Sequence, residues 1–162
     1  MIEIIFLDVD GCLTDGRITY DKNGELFKAF NVKDGYAIES WIKLGKKVAI
    51  ITGRSSEIVE RRAEDLGITH IYQGVGDKLS VAKQVLEFEG LSFENAAAIG
   101  DDYNDYGLLN AVSHSFKPRD AIKELKVHTR LKSKGGAGAV REMIEMLIKS
   151  ENLYDEWAKR WL

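Results

Sequence analysis

Short apolar runs alternate with longer amphipathic segments along this chain, and that alternation constrains the fold more than any other feature of the sequence. Short runs of this kind, several of them rich in β-branched residues, are typical of strands, and apolar residues three to four positions apart are typical of helices. The predicted strands are Ile2–Leu7, Val48–Ile51, His70–Tyr72 and Ala96–Ile99. The predicted helices are Tyr36–Leu44, Ser55–Leu66, Leu79–Glu89 and Val140–Lys149. Alternating strands and helices indicate βαβ units, so we predict an α/β fold with a parallel sheet and helices on both faces.

One segment interrupts the alternation directly after the first strand. Arg17–Tyr20 and Leu26–Phe30 alternate or run apolar on either side of the turn-forming sequence Asp-Lys-Asn-Gly at 21–24. This pattern predicts a β-hairpin inserted over about residues 17–30. Further along, Ser55 or Ser56 is placed to cap the second helix, and Gly67 is placed to end it.

The length of the chain, 162 residues, is that of one ordinary domain, and we expect a single domain over residues 1–162. Its last part, about residues 150–162, is predicted to be a helical tail with one apolar face. That face is formed by Leu153, Tyr154, Trp157, Ala158 and Trp161. The pattern leaves open whether the face packs on its own domain or on a neighbouring subunit.

Charge and cysteine content exclude several classes of partner. The 23 basic residues nearly balance the 26 acidic ones, whereas nucleic-acid binding favours a basic surplus on one face. No apolar run has the length of a membrane span, and Cys12 is the one cysteine, which suits a reducing compartment. We therefore expect a cytoplasmic protein that binds neither nucleic acid nor a membrane.

Chemically capable side chains follow three of the predicted strands at the point where each strand ends. Asp8 and Asp10 follow the first strand, Thr52 follows the second, and Asp101, Asp102 and Asp105 follow the fourth. Because ligands of open α/β sheets bind at the carboxyl ends of the strands, these groups are expected to converge although they are far apart in sequence.

The paired aspartates Asp8 and Asp10 suit a division of roles. Gly11 permits a turn at the strand end, which lets both carboxylates face one site. A carboxylate kept ionised by a metal can act as a nucleophile, while a second one in another environment acts as a general acid. The alternative is a pair of solvated turn aspartates, which the motif alone does not exclude.

The residues at the other strand ends and helix starts can bind a metal ion and a phosphate group. Asp101 and its neighbours supply the oxygen ligands that Mg²⁺ prefers, although a solvated acidic turn would have the same sequence. Thr52 precedes a helix whose free N–H groups can bind an anion, and Lys78 adds a positive charge at another helix start. Taken singly, Thr52 is better explained as a helix cap and Lys78 as a surface charge. Together with the two acidic sites, these groups indicate phosphoryl transfer.

Four motifs in order, DVDG at 8–11, TGR at 52–54, DK at 77–78 and GDDYND at 100–105, resemble those of the haloacid dehalogenase superfamily of phosphatases. The resemblance implies a Rossmann-like fold in which Asp8 is the nucleophile and Asp10 is the general acid and base. It further implies that Mg²⁺ is held by Asp8, the backbone carbonyl of Asp10 and Asp101. Thr52 and Lys78 then bind the phosphate, and Asp105 orients either Lys78 or a metal-bound water.

Within that superfamily, the segments at 30–38, 50–68, 72–79 and 135–142 resemble phosphatases that act on eight-carbon sugar-acid phosphates in lipopolysaccharide sugar synthesis. This resemblance implies a substrate site formed by Asn31, Val32, Lys33, Asp34, Gly35, Arg54 and Arg62, together with Asp10 and Lys78. Glu39 stands where that family commonly has an arginine, and a carboxylate there is expected to repel an anionic substrate. Either Arg54 or Arg62 then binds the sugar-acid carboxylate, or the substrate is a related nine-carbon keto-sugar acid phosphate.

Two hypotheses of other classes are weaker. A phospho-accepting receiver domain also uses clustered aspartates, threonine, lysine and Mg²⁺, but its lysine comes last, whereas Lys78 precedes Asp101. A non-catalytic partner subunit would be expected to lack Asp8 or Asp10.

The intervals between Asp8, Thr52 and Lys78 are filled by the predicted elements, so we expect no cap domain. The resemblance implies that a homotetramer built around the hairpins covers each active site instead.

Overall fold

The computed structural model describes residues 1–159 and contains eight strands and six α-helices in that part of the chain. The strands are β1 Ile4–Leu7, β2 Thr19–Asp21, β3 Gly24–Phe27, β4 Lys47–Ile51, β5 His70–Tyr72, β6 Ala96–Ile99, β7 His114–Lys117 and β8 Thr129–Arg130. The helices are α1 Val32–Lys43, α2 Glu57–Asp65, α3 Lys78–Glu89, α4 Tyr106–Ala111, α5 Ala139–Ser150 and α6 Tyr154–Ala158.

Six of the strands form one parallel sheet in the order β5-β4-β1-β6-β7-β8. The first strand is central, and Ile4–Leu7 pairs along its whole length with β4 on one side and β6 on the other. All four of its residues are buried, as expected for a parallel strand covered on both faces. The order reverses direction at β1, which places the ends of β1, β4 and β6 side by side.

The two faces of the sheet carry two separate apolar clusters, because successive residues of a strand point to opposite faces. Ile5 and Leu7 of β1 belong to the cluster that packs against α1, α2 and α5, whereas Ile4 and Phe6 belong to the cluster that packs against α3 and α4. The predicted α/β fold with a parallel sheet and helices on both faces is thereby confirmed.

The hairpin forms as predicted but is shorter than its predicted span. Strands β2 and β3 pair only with each other in the described part of the chain, in a separate antiparallel ribbon. The Asp21 carboxylate accepts a hydrogen bond from the N–H of Asn23, which tightens the connection into a two-residue turn. A register shift between Thr19 and Tyr20 then ends regular pairing before residue 17 is reached.

The starts of two helices differ from the prediction because of which side chains cap the helix N-terminus. Helix α1 begins at Val32, four residues earlier than predicted, because the Asn31 side chain accepts a hydrogen bond from the N–H of Lys33. Helix α2 begins at Glu57, and Ser56 makes no side-chain cap there. Its end is as predicted, with Gly67 at a φ of 73°.

The helical tail packs on its own subunit over the residues that the structure describes. Leu153 and Trp157 lie against the core cluster beside α5, and the Trp157 and Tyr154 rings are 5.6 Å apart. Tyr154 remains 44% exposed. Trp161, the last member of the predicted apolar face, lies outside the described residues. In the described range 1–159, no helix has both the length and the apolar content needed to cross a membrane.

Candidate active site

A buried lysine joins two carboxylates at the carboxyl end of the central strand. Asp8 directly follows β1, and Lys78 is the first residue of α3. The Lys78 Nζ donates hydrogen bonds to Asp8 Oδ1 at 2.6 Å and to Asp105 Oδ1 at 2.5 Å. All three residues are at most 6% exposed. These predicted residues are therefore in direct contact, although 27 and 70 positions separate the bonded pairs.

Asp105 supports the site in a second way through its other oxygen. Its Oδ2 accepts hydrogen bonds from the N–H of Asp101 at 2.9 Å and from the N–H of Asp102 at 3.2 Å. The Asp105 side chain packs so closely against Gly100 that a Cβ at position 100 would lie 2.4 Å from it, which requires glycine there. Of the two predicted contacts of Asp105, the structure contains the one with Lys78.

The carboxylates of Asp8 and Asp101 have the arrangement of metal ligands. One oxygen from each, together with the Cys12 Sγ, lies within a group whose members are all within 4.8 Å of one another. Burial raises the pKa of Asp8 to about 7, against the opposing effect of Lys78. Burial, together with the neighbouring Asp8 carboxylate, raises the pKa of Asp101 to about 7. A divalent cation between the two would compensate both effects, so these residues fit Mg²⁺.

The turn Val9–Leu13 after Asp8 shapes the same place. Gly11 has a φ of 97°, which favours glycine. A Cβ at this position would lie 2.0 Å from Asp101 Oδ2, so any other residue would displace the Asp101 carboxylate. Cys12 is fully buried. Burial raises the pKa of its thiol well above the ordinary value, and the negative charge of Asp8 contributes to the rise. The thiol therefore stays protonated, which leaves the oxygen ligands to hold the metal.

Asp10 is bound by a residue of the hairpin. Lys28 Nζ donates a hydrogen bond to Asp10 Oδ1 at 2.6 Å and forms an ion pair with Glu25 at 2.9 Å. Burial opposes the charge of Lys28, but the hydrogen bonds to these two carboxylates outweigh it and raise the pKa of Lys28. Glu25 also accepts a hydrogen bond from the Ser56 hydroxyl. The hairpin is thus attached to the Val9–Leu13 turn and to the start of α2.

A cleft of about 270 Å³ opens above these groups. Its lining residues are Asp8, Asp10, Gly16, Thr52, Gly53, Arg54, Asp101, Asp102 and Asn104. Thr52 directly follows β4 and is 2% exposed. The Arg54 guanidinium donates a hydrogen bond to the Tyr20 hydroxyl of the hairpin, and its Nε is 3.9 Å from Asp10 Oδ2. The cleft therefore combines several carboxylates with the hydroxyl of Thr52 and the guanidinium of Arg54.

Most of the predicted sugar-binding residues do not line this cleft. Asp34 is 1% exposed and accepts a hydrogen bond from the N–H of Arg141, which ties α1 to α5. Gly35 is buried against Arg62, whose guanidinium also lies 5.7 Å from the centre of the Phe30 ring. Asn31, Val32 and Lys33 are at the start of α1, with Asn31 acting as its cap. Of the residues 31–35, 54 and 62, only Arg54 is brought to the cleft of its own chain.

Glu39 is also outside the cleft, contrary to its expected position beside the substrate. It lies on α1, where its carboxylate is 3.7 Å from Lys43 Nζ, one helical turn further on. Its side chain is 42% exposed, so solvent screens its charge. The expected repulsion of an anionic substrate therefore does not act within a single chain.

Sequence reasoning missed the hairpin's polar contacts with the site. Lys28, Glu25 and Tyr20 all reach active-site residues or their neighbours, as described above. A signal was available for Lys28, since it stands within the predicted apolar strand 26–30, where a lysine needs a buried partner. Asn104, which lines the cleft, was also missed, and its signal was its place within the GDDYND motif.

Comparison with known proteins identifies close relatives. Residues 69–134 match the model of a family described as haloacid dehalogenase-like hydrolase. The 3-deoxy-D-manno-octulosonate 8-phosphate phosphatase of Escherichia coli strain K12 is 43% identical over 159 residues, which are 96% of this chain and 84% of that protein. The enzyme of that name from Yersinia pestis is 42% identical over 93% of this chain and 82% of its own length.

Solved structures agree in fold along nearly the whole chain. A crystal structure of 3-deoxy-D-manno-octulosonate 8-phosphate phosphatase from Moraxella catarrhalis, in complex with magnesium ion, phosphate ion and KDO, has a TM-score of 0.95 at 36% identity. The match covers 99% of this chain and 94% of that one. The enzyme from Yersinia pestis has a TM-score of 0.91 at 42% identity, over 93% and 83% of the two chains. The chain therefore belongs to the 3-deoxy-D-manno-octulosonate 8-phosphate phosphatase family, within the haloacid dehalogenase-like hydrolases.

Proposed function

We propose that this chain hydrolyses 3-deoxy-D-manno-octulosonate 8-phosphate to the free sugar acid and phosphate, as a Mg²⁺-dependent phosphatase of lipopolysaccharide sugar synthesis. The observation that carries the proposal is the buried contact of Lys78 with Asp8 and Asp105, with Asp101 completing the acidic side of the cleft. That arrangement supplies a nucleophile, a fixed cation and metal ligands at one point. The relatives named above support the choice of substrate.

Asp8 and Asp10 divide the chemistry between them. An Asp8 carboxylate oxygen attacks the phosphorus, the bond from phosphorus to the sugar oxygen breaks, and Asp10 gives its proton to the departing alkoxide. In the second half, Asp10 takes a proton from water, and the resulting hydroxide attacks the phospho-aspartate. The new P–O bond releases phosphate and restores the Asp8 carboxylate, so protons and charges balance over the cycle.

The remaining residues hold the phosphate and the metal. Asp8, Asp101 and the backbone carbonyl of Asp10 would hold Mg²⁺, which when bound offsets negative charge on the phosphoryl oxygens. Lys78 and the Thr52 hydroxyl, together with the N–H groups that follow Thr52, bind the same oxygens. Asp105 fixes Lys78 from behind, so its ammonium is in place before the substrate arrives.

Arg54 is the residue of this chain best placed for the sugar-acid carboxylate, because it lines the cleft and carries a guanidinium. The residues at the start of α1, half-buried Asn31 and exposed Val32 and Lys33, would meet substrate in the cleft of another subunit. Asp34, Gly35 and Arg62 then contribute by holding α1 in place. Such sharing requires an oligomer.

We propose a homotetramer in which hairpins of neighbouring chains pack together and cover the clefts. Tyr20 is 57% exposed and Phe27 is 55% exposed, and both belong to the two-stranded ribbon. A ribbon of this size is marginal alone, and exposed aromatic residues on it favour burial against a partner. We further propose that the chain acts as one catalytic domain and works in the cytoplasm, where its lone cysteine would remain reduced.

The decisive experiment measures phosphate release from three substrates with and without Mg²⁺. We expect turnover of the octulosonate 8-phosphate to exceed that of a nine-carbon keto-sugar acid phosphate and of a small aryl phosphate, and EDTA to abolish all three. Asp8→Asn removes the nucleophile and should abolish turnover, whereas Asp65→Asn, the same change at an exposed position of α2, should not. Preference for the nine-carbon substrate would revise the substrate, and metal-independent turnover would refute the mechanism.

A further inference from the structure

A glycine-rich loop at residues 134–138, here called the glycine loop, lies directly against the turn that follows the nucleophile. The N–H of Gly136 donates a hydrogen bond to the carbonyl of Cys12 at 3.0 Å. A Cβ on Gly135 would lie 1.8 Å from the Gly11 carbonyl oxygen, and one on Gly136 would lie 2.5 Å from the backbone nitrogen of Asp15. The two backbones therefore touch without side chains between them, over several consecutive residues.

The glycine loop is itself held in place by residues that lie outside the cleft lining. The N–H of Gly135 donates to Asp120 Oδ1 at 3.0 Å. The Glu142 carboxylate accepts hydrogen bonds from the N–H groups of Lys132 at 3.0 Å and Ser133 at 2.8 Å. With both its base and its middle bonded in this way, the loop cannot move back from the turn without breaking hydrogen bonds.

The turn also contacts the acidic wall of the cleft. Gly11 approaches Asp101 so closely that a Cβ would collide with the Asp101 carboxylate. The turn is thus in close contact with both Asp101 and the glycine loop. Asp8 precedes it and Asp10 lies within it, so its placement determines how the two carboxylates stand relative to each other.

We propose that the glycine loop positions the catalytic turn, with Gly135 and Gly136 as the positioning residues and Asp120 as their support. A side chain in the loop would displace the turn from its present position, which would alter both the separation of Asp8 from Asp10 and the contact of Gly11 with Asp101. The inference rests on the proposed phosphatase activity, and it assigns a role in catalysis to residues that touch neither substrate nor metal.

Gly136→Ala tests the proposal against a closely matched control, Gly90→Ala. Both glycines have a φ of +67°, so alanine meets the same backbone strain at each, but a Cβ at position 90 has nothing within 4 Å. We expect both variants to lower the melting temperature, Gly136→Ala by more, because its Cβ also lies 2.5 Å from a backbone atom of Asp15. Only Gly136→Ala should lower kcat, by about tenfold or more with an unchanged KM, since misplacement of reacting groups by about 1 Å has effects of this size or larger. It should also weaken Mg²⁺ binding, measured by calorimetry without substrate.

The Asp120 variants keep the test decisive if Gly136→Ala does not fold. Asp120→Ala removes the acceptor for the Gly135 N–H without adding a clash, and Asp120→Asn keeps an oxygen acceptor. We expect Asp120→Ala to lower kcat and Mg²⁺ affinity, and Asp120→Asn to retain both. Equal kcat and Mg²⁺ affinity in the two members of each pair would overturn the inference. A wild-type chain that binds Mg²⁺ without hydrolysing any of the three substrates would instead refute the proposed function.

Discussion

Lys78 contacts two buried carboxylates, which gives it a structural role beside its proposed catalytic one. Asp8 and Asp105 both lie within 2.6 Å of its ammonium. Removing one member of a buried ionic group leaves uncompensated charge in a low-dielectric place, which costs about 3–5 kcal/mol. We therefore predict that Lys78→Met abolishes turnover and lowers the free energy of unfolding by about 3 kcal/mol, measured by urea denaturation without metal.

The matched double variant tests the cause of that loss. Asp8→Asn removes one of the negative charges that Lys78→Met leaves without a partner, so the double variant should be more stable than Lys78→Met alone. If the two substitutions were instead additive in their effect on the unfolding free energy, the charge contact between Lys78 and Asp8 would not be the source of the stability.

Asp101 illustrates the opposite case, a residue whose charge costs stability until metal binds. Its pKa is raised by burial and by the neighbouring Asp8 carboxylate. We predict that Asp101→Asn raises the melting temperature without metal by about 2–4 °C, the shift expected for about 1 kcal/mol in a chain of this size. The same variant should lose the rise in melting temperature that Mg²⁺ gives the wild type. Asp65→Asn, on the exposed end of α2, should show the wild-type response to Mg²⁺.

The sequence predicts the location of a site residue when that residue directly follows a strand of the parallel sheet. Asp8, Thr52 and Asp101 each follow a strand of the parallel sheet, and the sheet brings them together. Residues 31–35 are different, because their motif also serves as the cap and first turn of α1, and Asp34 faces α5 rather than the cleft. The contact between Lys28 and Asp10 depends on how the hairpin folds back, so the apolar pattern around Lys28 indicates a buried partner but not which residue it is.

At the scale of elements, the sequence predicted those with a strong periodic signal and missed the short ones. The four predicted strands and four predicted helices all exist, with boundaries shifted by up to four residues. Strand β8 has two residues, and α4 has six, which is too few to show a period. Strand β7 was missed as well; its sequence, HSFK, contains a lysine whose ammonium is bonded to three backbone carbonyls.

The hairpin is the element whose placement matters most to catalysis, and Lys28 connects it to the site. We predict that Lys28→Met lowers kcat/KM by about tenfold or more, because Asp10 loses the partner that fixes its carboxylate. It should also make the hairpin a faster target in limited proteolysis, since Glu25 loses its ion pair as well. Lys22→Met changes an exposed lysine at the tip of the same hairpin and should alter neither measurement. An equal effect of the two variants would show that the ion pairs of Lys28 are not what holds the hairpin.

A single chain exposes several apolar side chains on and just after the hairpin. Beyond Tyr20 and Phe27 on the hairpin, the first residue of α1, Val32, is 79% exposed. These side chains are close in sequence, and Val32 is itself one of the predicted sugar-binding residues. The tail, by contrast, places Leu153 and Trp157 on its own core. Burial of the hairpin side against other copies is therefore the step that would complete the site.

The tail nevertheless has a predicted part in selectivity. Its last described turn contains Tyr154, which stays largely exposed beside Trp157. Deleting the residues after Lys149 should reduce turnover of the sugar-acid phosphate more than turnover of a small aryl phosphate, because the aryl phosphate needs only the phosphate site. A truncated chain with unchanged selectivity would show that the tail serves only to cover the core.

The assembly itself gives the last prediction, which light scattering can test with a pair of equal substitutions. Phe27→Glu places a charge on the exposed face of the hairpin, and Phe88→Glu makes the same change on α3, where the ring is 81% exposed. We expect the wild type and Phe88→Glu to have about four times the chain mass of 18.2 kDa. Phe27→Glu should dissociate, because a carboxylate cannot be buried in an apolar contact without a partner. Its turnover of the sugar-acid phosphate should fall with the loss of mass, whereas a fully active monomer would refute the idea that a neighbouring subunit covers the cleft.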